Sequence, residues 1–416
     1  MIIFFYFDNT LRVYHNEFGF SYEHKFEKAE VIDSRLPFNK VYFSTLSDFQ
    51  SHMQNIKKQI GDKAGEVHVV DHPLIVEHPQ FPLHIGFYKS WEEMISAVRN
   101  KYPGKTKFSL AILNAMSNAI GDHLIGMQAF DVYQERLRKE LGDVDISLFQ
   151  LNPYRVSPIT KQWHGKYQHL YMLPNRLERL MQHDLFVDLG TLLLRDNFGN
   201  QPMVDFFLEA LSIDASSVPG ERKRIKYQAD SSSLEQLTPI MKTIRSRGKP
   251  VLLFHRTSTS PIRMMSPARA RQMIGEIIKS SDYFVVTADQ LEYQNKYFMD
   301  LSRYSQNLEQ FAAIISQVDA VITVDTSTYH LADAFSTPTV ALFTTINPEY
   351  RVKYYPFVES IMLEEENGPL YGHHKASQDE RTAKEEFAYV ENKWASLNVS
   401  DVLHKLEQTK QKRGAQ

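Results

Sequence analysis

Apolar positions follow two periods along this chain. "FSLAIL" (108–113), "PVLLFH" (250–255), "AVITVD" (320–325) and "TVALF" (339–343) are short and apolar at nearly every position. Runs of this kind predict strands buried on both faces of a parallel sheet. Between them the period lengthens. From Asp122 onward, Leu124, Met127, Phe130, Leu137 and Leu141 recur at helical spacing. "QPMVDFFLEALSI", "SPARARQMIGEIIKS", "NLEQFAAIISQ" and the final "NVSDVLHKLEQTK" read as further amphipathic helices. Strand and helix therefore alternate, and the alternation restarts after the basic, polar stretch at 216–233, which predicts two doubly wound α/β units in tandem.

The first hundred residues differ. "IIFFYF" and "KVYFST" are strand-like, "HNEFG" suits a hairpin turn, and "SWEEMISAVRN" places Trp91, Met94, Ile95 and Val98 on one helical face. "FYFDNTL" resembles the Asp-x-Asp-x-Thr opening of haloacid-dehalogenase phosphatases, but Tyr6 stands where the nucleophile is needed, so that chemistry is not expected. The predicted organisation is a small α+β accessory domain over 1–105, a first Rossmann-like domain over 106–232 and a second over 233–416. Two such units would leave a cleft between them, a favoured place for a ligand. The polar stretch 363–391 reads as a long loop.

Composition narrows the picture. The chain has 416 residues, no cysteine and a formal net charge of −3. Its length allows about two to three domains. The cysteine count excludes a disulfide framework and thiolate metal sites and suits a reducing cytoplasm. The charge argues against a dedicated nucleic-acid binder. The apolar start ends at Asp8, too short for a signal sequence or a membrane span. "ERKRIK" (221–226) suits either a solvated linker or peripheral contact with the inner face of the cytoplasmic membrane. The neighbours His373 and His374 in "GHHK" lack metal-ligand spacing.

The most informative stretch is "VITVDTSTYHLADAFSTPTVALF" (321–343). A strand ends at Val324, then Asp325 and three hydroxyl residues lead into a helix. Helix-start amides with nearby hydroxyls form a place for phosphate. The same residue types also cap helices with no ligand.

This stretch resembles the donor site of glycosyltransferase family nine, the ADP-heptose:lipopolysaccharide heptosyltransferases, in Asp325, Thr326, His330, Leu331, Pro338 and the strand Val340 to Phe343. Ser327 and Thr344 stand where that family usually has glycine. "NAMSNAIGD" (114–122) resembles its Ile/Met-Gly-Asp helix start. The resemblance covers roughly residues 106 to 410 and implies a GT-B fold with Asp122 as catalytic base, His123 being the adjacent competitor. It implies that Thr326, Ser327, Thr328 and Arg263 bind the donor phosphates, with Asp325 and His330 in the same motif. Glu292 falls at the acidic position that holds the nucleoside ribose, though Ala288 and Asp289 replace the family's two glycines there.

The implied activity is inverting, metal-independent transfer of a heptose-type sugar from ADP-heptose, a co-substrate, with no bound cofactor. The implied acceptor is a hydroxyl of a surface glycan such as lipopolysaccharide core, or of a protein. The alternative is a catalytically degenerate GT-B nucleotide-binding module that acts as an assembly partner.

Overall fold

In the computed structural model the described residues are 2–7, 10–15, 41–44, 67–71 and 81–414, apart from 115, 117–118, 152, 174, 191, 193–194 and 196–197. They fall into two units, one of Met1–Phe198 with Val204–Val218, the other of Gly199–Met203 with Pro219–Gln416.

The first unit contains two sheets. Strands β1 (Ile2–Phe7), β2 (Thr10–His15), β3 (Val41–Ser44) and β4 (Val67–Asp71) form a mixed sheet of order β4-β2-β1-β3, extended by β9 (Asn175–Arg176). The turn expected at "HNEFG" lies outside the described residues beyond His15. β1 and β2 pair antiparallel with Phe7 opposite Thr10.

The second sheet is parallel, of order β5-β10-β6-β7-β8, from β5 (Leu83–His84), β6 (Lys107–Leu113), β7 (Asp143–Gln150), β8 (His169–Met172) and β10 (Leu185–Asp188). Because β5 pairs with β10, this sheet recruits residues upstream of 106, and β9 lends residues 175–176 to the N-terminal sheet. Helix α1 (Trp91–Lys101) buries Trp91, Met94, Ile95 and Val98, the four residues its periodicity marked. Helix α2 (Ile120–Leu141) begins two residues before Asp122 and buries Leu124, Met127, Phe130, Leu137 and Leu141.

One close approach fixes the start of α2. Met116 is fully buried in a left-handed conformation (φ 60°), and its Cβ would lie only 2.5 Å from a Cβ added at Gly126. Only a residue without a side chain admits the preceding loop against the helix at that point.

The second unit is a single parallel sheet of order β13-β12-β11-β14-β15-β16. Its strands are β11 (Val251–His255), β12 (Phe284–Thr287), β13 (Phe298–Asp300), β14 (Ala320–Val324), β15 (Thr339–Phe343) and β16 (Val358–Met362). Every residue of β11, β14 and β15 is buried, which explains their unbroken apolar sequences.

The loop expected over 363–391 is corrected by the structure. A helix runs over Glu380–Ser396, followed by another over Val399–Gly414. Asp379 caps the first by accepting from the Thr382 amide at 2.8 Å, and Arg381–Glu385 and Lys384–Glu380 pair along its exposed face. Its apolar content is concentrated in few residues, notably Val390 and Trp394. A polar surface masked this period in the sequence.

The "ERKRIK" stretch is not a free basic patch. Lys223 is buried and donates to the Tyr354 hydroxyl at 3.0 Å, and Arg224 pairs with buried Asp333 at 3.1 Å. Among the described residues no helix is long and apolar enough to cross a membrane.

The Met116 packing yields a stability prediction. Gly126→Ala is expected to destabilise the first unit by about 1–3 kcal/mol through overpacking, measured by urea unfolding. An unchanged midpoint would mean that the loop yields without cost.

Candidate functional site

The candidate site of the second unit lies at the carboxyl ends of β11, β14 and β15, the edge at which parallel α/β sheets bind ligands. Its centre is Asp325, one residue beyond β14 and only 2% exposed. Burying a carboxylate is costly unless it is paired, and here both oxygens are engaged. Oδ2 accepts from Arg263 at 3.1 Å and Oδ1 from the Tyr329 hydroxyl at 2.8 Å. The Asp325 carbonyl accepts from Ser258 Oγ at 2.8 Å.

Arg263 ends a short 3-10 turn, Pro261–Arg263. Its second terminal nitrogen donates to Thr259 Oγ1 at 3.0 Å, while buried Nε has no partner. The guanidinium is thus held by two anchors while its buried Nε–H stays unpaired. The turn is braced from behind. Trp394 Nε1 donates to the Met264 carbonyl at 2.7 Å, and the Ser266 amide donates to Glu391 at 3.0 Å. Both partners lie in Glu380–Ser396, the helix taken for a loop in the sequence.

The hydroxyl cluster divides into two kinds. Thr328 is fully buried, with its hydroxyl 2.7 Å from His255 Nδ1, so it faces the core and not a ligand. Thr326 and Ser327 are partly exposed, and among the described residues no other group accepts from their amides or engages their hydroxyls. Ser327 has right-handed φ and ψ (−60°, −13°), so the position does not demand glycine. The helix that follows, Thr328–Ala334, has seven residues. Its dipole is correspondingly small, and the donors at the corner are loop amides, hydroxyls and Arg263 more than a helix end.

His330 is also turned inward. Its Nδ1 lies 2.7 Å from the Tyr355 hydroxyl and its ring centroid 4.2 Å from that of Tyr329. Burial, with help from the Arg351 charge, lowers its pKa from the ordinary 6.5 to about 3. Burial likewise lowers His255 to about 4, with the Arg256 charge adding to it. Glu292 sits apart in the loop between β12 and β13, exposed and without an ion pair among the described residues. Asp289, at one of the family's glycine positions, forms an ion pair with Arg256 at 2.8 Å.

Sequence reading therefore found Asp325, Thr326, Ser327 and Arg263, which the fold brings together. It missed the hydroxyls of "TSTS" (257–260), each of which holds a neighbour in place. Thr257 Oγ1 lies 3.0 Å from His255 Nε2, and Ser260 Oγ accepts from the Ala376 amide at 3.3 Å. It also missed Thr345, whose hydroxyl is fully buried at the end of β15 with no partner.

In the first unit, Asp122 is the third residue of α2 and is partly exposed. His123 is fully buried, with Nδ1 3.2 Å from the Met116 carbonyl and Nε2 2.9 Å from Thr160 Oγ1. His123 is thus packed among its neighbours, and Asp122 is the more exposed of the two.

Residues 305–379 match the family model of glycosyltransferase family 9 (heptosyltransferase), a segment that contains Asp325 to His330. The structure of E. coli ADP-heptose LPS heptosyltransferase II is similar at 13% identity and TM-score 0.50, over 74% of this chain and 99% of that one. A glycosyl transferase of family 9 from Veillonella parvula is similar at 12% identity and TM-score 0.49, over 74% and 98%. The iron-containing dodecameric glycosyltransferase TibC from enterotoxigenic E. coli is similar at 14% identity and TM-score 0.46, over 73% and 80%. Comparison with curated proteins gives no match. The likeness to heptosyltransferase II establishes the GT-B fold, and the matched segment carries the class: the chain is a glycosyltransferase. The resemblance to family nine read from the motifs holds.

The buried imidazoles predict acid sensitivity. In the folded state His330 and His255 stay neutral well below pH 6.5, whereas the unfolded chain protonates them there. Their contribution to stability is complete above pH 6.5. It declines by about 1.4 kcal/mol per pH unit for each histidine as pH falls toward the folded value. His330→Asn should flatten the dependence of unfolding free energy on pH between pH 6 and pH 5 by about one proton's worth. An unaltered slope would show that His330 is already charged in the folded protein.

Proposed function

We propose that the chain transfers a heptose-type sugar from ADP-heptose to an acceptor hydroxyl with inversion and without a metal ion. The acceptor is a surface glycan such as lipopolysaccharide core, or a protein. The observation that carries this reading is the set of uncommitted donors beside the Arg263–Asp325 pair: the amides and hydroxyls of Thr326 and Ser327 and the free Nε of Arg263. Glycosyl transfer needs charge on a departing diphosphate stabilised as the bond to the anomeric carbon breaks. Preorganised donors in a partly buried site supply that stabilisation without reorganising. Asp325 keeps the guanidinium aimed, a positioning role.

Within this proposal Asp122 is the general base that takes the acceptor proton, and attack opposite the leaving group inverts the anomeric centre. It lies in the first turn of α2 and is partly exposed, within reach of an acceptor from solvent. Glu292 is proposed to meet the nucleoside ribose. Names of the similar proteins support ADP-heptose as the donor, since heptosyltransferase II is described by it.

A thermal-shift panel of ADP, UDP, GDP and CDP tests the donor class, because a ligand of the native state raises apparent stability. The expected result is a preference for ADP. Thr326→Ala and Arg263→Ala should each weaken that binding about tenfold, the scale of one charge-assisted hydrogen bond. Unchanged affinity in both would remove the phosphate site.

Asp122→Asn should lower turnover about 10²- to 10⁴-fold while donor affinity stays near that of the unmodified chain. Near-normal turnover in this variant would dismiss Asp122 as base.

A further inference from the structure

The segment after β16 carries "YGHHKAS", a motif to which the proposed transfer assigns no role. Two hydrogen bonds fix its path. The Gly372 amide donates to the Thr345 carbonyl at 2.6 Å, just beyond the end of β15. The Ala376 amide donates to Ser260 Oγ at 3.3 Å, in the loop that leads from β11 into the Arg263 turn. In the sheet order β11-β14-β15, the strand between these anchors is β14. Residues 372–376 thus run from one neighbour of β14 to the other, across the edge where Asp325 stands. Gly372 has the left-handed φ of +81° that lets the chain turn into this path.

His374 is at the middle of the crossing and is partly buried, whereas His373 beside it is exposed. The charges acting on it are Arg351, Arg263, Asp325 and His373. Gly199, in the same unit, backs the ring: a Cβ there would lie 3.1 Å from Nε2. Under the crossing, Arg263 Nε and the Thr345 hydroxyl are buried polar atoms without partners. Unsatisfied donors of this kind are uncommon in a folded interior and call for an explanation.

We propose that residues 372–376 form a strap over the donor corner and that His374 donates a hydrogen bond to the diphosphate of the nucleotide-sugar. This deepens the donor-site reading and rests on it. The strap closes the side of the site that Thr326 and Ser327 leave open, so that the diphosphate is gripped by three neighbouring strand ends. At neutral pH the imidazole is uncharged, since burial and the Arg351 and Arg263 charges lower its pKa to about 4. It therefore acts as an N–H donor without adding a full charge.

The test is calorimetric titration of the full chain with ADP and, separately, with adenosine. His374→Ala should weaken ADP binding about tenfold and leave adenosine binding unchanged, and His374→Gln, which retains a donor, should recover part of the loss. Thermal unfolding of both variants monitors the fold. Equal losses for ADP and adenosine would reduce His374 to a structural role and overturn the proposal. ADP affinity within twofold of the unmodified chain in His374→Ala, with Thr326→Ala still impaired, would remove the strap contact and leave the donor site standing. An unmodified chain that binds none of the four nucleoside diphosphates would end the donor-site reading and the strap with it.

Discussion

The ion pair between Asp325 and Arg263 organises the second unit's binding edge. A carboxylate 2% exposed at the end of an all-buried strand is tolerable only when opposite charge and hydrogen bonds meet it. Arg263 and Tyr329 meet it. The pair therefore fixes three segments at once: the end of β14, the turn after β11 and the helix that carries Tyr329. Breaking one partner would leave a buried charge alone, a far larger cost than the pair's net worth. The same geometry leaves Arg263 Nε buried without a hydrogen-bond partner.

Around that pair the structure separates hydroxyls tied to neighbours from hydroxyls left open. Thr328, Thr257, Ser258 and Thr259 are tied to His255, Asp325 and Arg263. Thr326 and Ser327 are left with open hydrogen-bonding capacity. Three adjacent hydroxyl residues thus play two roles, and their order along the chain decides which. Thr328 has entered the helix and points at β11, while the two before it have not.

The parallel sheets were legible in the sequence because their strands are covered on both faces and read as unbroken apolar runs, as in β11, β14 and β15. The corner at Asp325 was legible as a strand end because an apolar run, an aspartate and a hydroxyl cluster follow one another locally. Three features were not. The helix Glu380–Ser396 has few apolar residues and many surface charges, so its period is faint. Arg224 and Lys223 read as a solvated basic run because their partners, Asp333 and Tyr354, lie more than a hundred residues away. The path of residues 372–376 depends on contacts to Thr345 and Ser260, which no local pattern reveals. His123 and Asp122 look equivalent side by side; only burial distinguishes them.

The bracing of the Arg263 turn by Trp394 has a consequence for how the protein is made. Trp394, Val402 and Leu406, from the last two helices, fill the same core as β11, β14 and β15. Those helices follow every strand of this sheet in the chain, so the apolar strand faces stay uncovered until the helices have been made. Parallel sheets with long-range pairing fold slowly and are prone to aggregation while incomplete. The sheet of the second unit is therefore completed only by chain that comes more than thirty residues after its final strand begins.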